Sequence, residues 1–150
     1  MRRLAALAFL PLALSACTQD APKGVDKTKL DAEVSQAIGD AATCLLIGEQ
    51  PGGKVVYRYN TRTVCARTLP ACDRPDAQTL EQLLKATAAD GQPRTLSCNT
   101  TADASRGVGW ASGVMEGKGL VYAAVMEGER ALPGRIMASK LTSAFRRAGL

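Results

Sequence analysis

Residues 43 to 60 read Thr-Cys-Leu-Leu-Ile-Gly-Glu, then Gln-Pro-Gly-Gly, then Lys-Val-Val-Tyr-Arg-Tyr-Asn. Two β-rich runs, Thr43 to Glu49 and Lys54 to Asn60, flank the breaker Gln50-Pro51-Gly52-Gly53, a pattern that predicts an antiparallel hairpin. Just upstream, Asp26 stands as an N-cap, and Leu30, Val34, Ile38 and Ala41 recur at helical spacing. That spacing predicts an amphipathic helix over 27–41 whose apolar stripe needs a sheet to cover it. The hairpin supplies the start of that sheet.

Downstream, a loop carrying Cys65, Pro70, Cys72 and Pro75 precedes Leu80, Leu83, Leu84 and Ala88, which trace a second helix closed by Gly91 and Pro93. Glu81 and Lys85 form an i,i+4 pair on its wet side. Three strands are predicted next, over 94–99, 107–114 and 119–126, the last two joined through Glu116-Gly117-Lys118. Ala131-Leu132-Pro133-Gly134 opens a final helix in which Met137, Leu141, Phe145 and Ala148 share a face, and Arg146 and Arg147 complement its C-terminal dipole. The order α-β-β-α-β-β-β-α, without repeats, predicts one α+β domain over 26–150, an antiparallel five-stranded sheet with flanking helices.

The composition agrees. The chain has 150 residues, 46% hydrophobic and 22% charged, which suits one ordinary domain and argues against two. It has no histidine, so Ser-His-Asp and Cys-His catalysis and His-ligated zinc or haem are excluded at once. No cofactor and no metal are expected.

Met1-Arg2-Arg3 is a basic start, and Leu4 to Ala16 is an uncharged apolar run of thirteen residues. A spanning helix needs about 20 apolar residues, so residues 1–16 read as a signal peptide. The run ends in Leu14-Ser15-Ala16-Cys17, which resembles the lipobox of bacterial lipoproteins. The resemblance implies cleavage before Cys17, acylation of that cysteine with palmitate-like chains, and a membrane partner reached through the lipid. Thr18 stands where an inner-membrane retention aspartate would stand, which favours the outer membrane, with the domain facing the periplasm. Residues 17–25, with Pro22 and Gly24, read as a lipidated tether. Without Arg2 and Arg3 the chain keeps 17 basic against 14 acidic residues, a net charge of +3. The basic residues are scattered and no aromatic residues interleave them, so a nucleic-acid partner is not expected.

Four cysteines remain, Cys44, Cys65, Cys72 and Cys98, with 20, 6 and 25 residues between neighbours. An even number in an exported chain reads as two disulfides, with three connectivities open. Trp110, Tyr57 and Tyr59 are candidate binding aromatics, each with a core reading beside it. Glu127 and Glu129, beside Asp73 and Asp76, are the carboxylates that acid–base chemistry would draw on; solvated loop positions are the plainer reading.

The element order, with Leu30 to Pro70 and Gly107 to Leu150, resembles the α/β subdomain of penicillin-recognising serine hydrolases, especially class D β-lactamases. Gly107-Val108-Gly109-Trp110, Leu120 to Met126 and Leu132-Pro133 are similar to that family's closing strands and helix. Profilin-like and roadblock-like sheets share the order as well. The family's Ser-x-x-Lys is replaced by Cys72-Asp73-Arg74-Pro75, Lys-Thr-Gly is absent, and Ser97-Cys98-Asn99 matches the second motif only in outline. Used as a ruler, the resemblance sets Cys72 in the nucleophile's corner facing Cys98, which implies the pairs Cys72–Cys98 and Cys44–Cys65. A different sheet order would give Cys65–Cys72 and Cys44–Cys98. Two functions follow from this reading. One is a non-catalytic, periplasm-facing lipoprotein that binds an envelope protein or cell-wall ligand. The other is a reduced penicillin-recognising enzyme.

Overall fold

The computed structural model describes residues 21–150; the signal-like segment and Cys17 lie outside the described residues. Helix α1 (Lys27–Ile38) starts at Asp26, whose carboxylate accepts from the Lys29 amide at 2.7 Å. It stops before Ala41 because Gly39 turns extended, φ −65° and ψ 118°. Strands β1 (Thr43–Glu49) and β2 (Lys54–Tyr59) form the expected antiparallel hairpin. Helix α3 (Leu80–Asp90) carries a Thr79–Gln82 capping box and ends on left-handed Gly91. Strands β5 (Arg94–Asn99), β6 (Gly107–Met115) and β7 (Leu120–Gly128) then lead into helix α4 (Gly134–Ala148).

Between β2 and α3, where the sequence suggests only a loop, lie three small elements. They are helix α2 (Arg62–Cys65) and a two-stranded ribbon of β3 (Thr68–Pro70) and β4 (Ala77–Thr79). Elements of three or four residues have no period to read; tertiary contacts hold them, as shown below.

All five main strands are antiparallel, in the order β2-β1-β7-β6-β5. The chain is therefore α+β, with the predicted order of main elements. Leu45, Ile47, Tyr122 and Ala124 point to one face, where α1 and α4 cover them. Cys44, Leu46, Ala123 and Val125 point to the other, under α3. Because both faces are covered, β1 and β7 are buried almost throughout and read as unbroken apolar runs, as in parallel sheets.

The residues just before Asp26 pack on the domain. Pro22 is buried, Ala21 and Val25 pack on the α1/α4 core, and the Val25 amide donates to the Pro22 carbonyl at 3.0 Å. A Pro- and Gly-containing stretch that reads as linker is thus part of the folded body.

Candidate functional site

The disulfides come first because they place two corners. Cys44 pairs with Cys65 and Cys72 with Cys98, at Cα separations of 5.2 and 5.4 Å. These are the pairs the hydrolase resemblance implies. Cys44–Cys65 is buried and fastens α2 to the start of β1, whereas Cys72–Cys98 is partly exposed and fastens the β3–β4 loop to the edge strand β5. With every described cysteine other than these absent and all four bonded, Cys72 is not a thiolate nucleophile.

Trp110 lies in the core, not on a surface. It is fully buried beneath the β3–β4 ribbon, and its indole N–H donates to the Pro70 carbonyl at 2.8 Å. Its neighbour Gly109 permits the chain to pass: a Cβ there would stand 2.0 Å from the Leu132 carbonyl oxygen. Gly134 does the same for the first turn of α4, where a Cβ would meet the Trp110 oxygen at 2.1 Å. The Gly134 amide donates to the Ser97 hydroxyl at 2.9 Å, so Ser97 serves as a cap for a helix whose own N-cap, Pro133, has no side-chain oxygen to offer. A shallow groove of about 370 Å³ beside it is lined by Ser97, Cys98, Asn99 and Pro133.

Tyr57 is likewise a core residue, fully buried, with its hydroxyl donating to Asp31 at 2.7 Å. Burial, and then the Asp31 carboxylate, push this phenol well above the ordinary tyrosine range. Tyr59, on the same strand, is half-buried and packs against the α1/α4 core. The three aromatics are not gathered into one cleft: Trp110 belongs to the α3 side and the two tyrosines to the α1/α4 side.

Glu127 departs from its loop reading. It is the last residue but one of β7, with 8% of its side chain exposed, held by Arg67 at 2.8 Å and Arg106 at 3.0 Å. Burial pushes its carboxyl up, but the two guanidiniums outweigh burial and leave it below the usual carboxylate range. A carboxylate so clamped is an ionised structural anion. Glu129 is exposed, and Asp73 is bound to Arg74 at 2.9 Å. Among the described residues no group of three or more Cys, Asp or Glu is placed to hold a metal ion.

The structure adds one region that the sequence does not single out. At the end of the sheet holding the β1–β2 and β6–β7 turns, a groove of about 670 Å³ is lined by Ala21 to Val25, Glu49, Gln50, Lys118 and Leu150. A second groove of about 420 Å³ lies beside it, with Met115, Tyr122 and Phe145 inside and Lys118 and Arg146 at its rim. The sequence reads this stretch as a tether because Pro22 and Gly24 lie in it. Comparison of the chain with known protein families, curated proteins and solved structures finds no match.

Proposed function

We propose that this chain is a bacterial lipoprotein, anchored through acylated Cys17 in the outer membrane, whose domain serves in the periplasm as an interaction or ligand-binding module without catalysis. The observation that carries this reading is the pairing of a lipobox-like Leu14-Ser15-Ala16-Cys17 with a domain whose four other cysteines are all disulfide-bonded. Disulfides persist in oxidising compartments, which suits an exported domain. The groups that would serve a hydrolase are committed elsewhere. Cys72 is bonded to Cys98, and the Ser97 hydroxyl caps α4. An acylating nucleophile with a base beside it is what such chemistry requires.

The test expresses the full chain with its own leader in a bacterial host. Intact-mass and N-terminal peptide analysis should find a diacylglyceryl, N-acylated Cys17, and Cys17→Ser should accumulate as uncleaved precursor. An unmodified N-terminus would end the anchor reading. Incubation of the same lipoprotein with a fluorescent penicillin should leave its mass unchanged; a covalent adduct would restore the hydrolase alternative.

A further inference from the structure

The docked N-terminal segment fixes which way the domain faces. Ala21 to Val25 lie against the domain at the end formed by the β1–β2 turn, the β6–β7 turn and the C-terminus. Cys17 precedes Ala21 by four residues, a reach of roughly 14 Å when fully extended. Strands β6 and β7 have nine residues each, so the opposite end of the sheet is about 30 Å away along the strands. A chain anchored at Cys17 cannot stand on that far end with the near end lifted away from the bilayer.

The near end also has the charge for the task. Lys23, Lys54, Lys118 and Arg146 are exposed there and make no ion pair among the described residues. Nearby Lys27, Lys85 and Arg94 are matched to Asp31, Glu81 and Asp90. The exposed acids at this end are Asp26, Glu49 and Glu116. The far end holds Asp40, Asp103, Glu127 and Glu129 among its arginines.

We infer that this end of the domain rests on the phospholipid headgroup layer, with Lys23, Lys54, Lys118 and Arg146 contacting anionic headgroups. The inference rests on the lipid-anchor reading and adds to it an orientation and a contact surface. Each cation near an anionic surface gains an attraction that corresponds to about a fivefold bias toward the bound state. A lysine so held should react about fivefold more slowly with an amine-directed reagent.

The test reconstitutes the lipoprotein in vesicles of phosphatidylcholine with phosphatidylglycerol, and separately in phosphatidylcholine alone, so that no lipid amine consumes the reagent. Lysines are acylated with a water-soluble ester and counted by peptide mass, together with the N-terminal peptide. Lys23, Lys54 and Lys118 should react several-fold more slowly on the anionic vesicles, while Lys140, exposed midway along α4, should not change. Equal rates in both vesicles, or slowing at Lys140 as well, would overturn the orientation even with Cys17 acylated. An unmodified Cys17 in the same sample would overturn the anchor and the orientation together.

Discussion

Replacing Gly134 by alanine separates helix propensity from packing. In an ordinary helix interior the change favours folding by about 1 kcal/mol. Here the new Cβ would stand 2.1 Å from the Trp110 oxygen, 2.7 Å from the Leu96 oxygen and 2.8 Å from the Leu96 nitrogen. All three neighbours are backbone atoms of adjacent strands, so the helix must rise instead. Rising lengthens the 2.9 Å bond from the Gly134 amide to Ser97 and loosens Met137 and Leu141, both fully buried. Overpacking of this kind costs about 1–3 kcal/mol, and a weakened hydrogen bond adds about 1 kcal/mol. After the propensity gain, the net loss should be about 2 kcal/mol. Thermal unfolding followed by circular dichroism should show a Tm lower by roughly 5–10 °C for a domain of this size. Gly52→Ala is the control, since no atom lies within 4 Å of a Cβ there. It should be neutral or mildly stabilising. An unchanged or raised Tm for Gly134→Ala would refute the argument that backbone contact dictates glycine at this position.

Glu127→Gln should cost about 1–2 kcal/mol at neutral pH, less than a fully buried pair would, because Arg67 and Arg106 are 36% and 42% exposed. The folded-state pKa is depressed, so this stability is complete above the unfolded value near ~4.3 and fades as pH falls through the lower folded value. Urea titrations of both proteins should therefore converge in acid; a gap that widens there would contradict the ionised clamp. Under mild reductant with pulsed alkylation, Cys72 and Cys98 should label before Cys44 and Cys65, because the first pair is partly exposed while Cys44 is fully buried and Cys65 7% exposed. Simultaneous labelling would mean that global unfolding, not local access, governs both bonds.

What the sequence makes legible here is whatever has a period. The runs around Leu45 to Ile47 and Val121 to Met126, and the stripe of Met137, Leu141 and Phe145, repeat at strand or helix spacing and mark elements that bury them. The α2, β3 and β4 pieces have no such repeat. They exist because Cys65 is bonded to Cys44, and because the Trp110 indole N–H donates to the Pro70 carbonyl from forty positions away. Glu127 illustrates the same difficulty. Nothing local distinguishes it from Glu129, yet Arg67, sixty residues earlier, and Arg106 turn one into a clamped anion and leave the other in water. The packed Ala21 to Val25 segment escapes detection for a compositional reason, since Pro and Gly signal a break in regular structure and say nothing of whether the break is docked.

The central seam of the sheet joins β1 to β7, setting Ile47 against Tyr122 across half the length of the chain. With β2 on its other edge, β1 is left with one open edge until β7 is made. A nascent chain emerging residue by residue holds one hairpin and some amphipathic helices, with no closed core, until β7 has appeared. Contacts this distant in sequence are slow to form, since the intervening loop must be ordered first. Neither apolar face of the sheet can be closed before β7 and α4 have both been made, so the core forms in one late step.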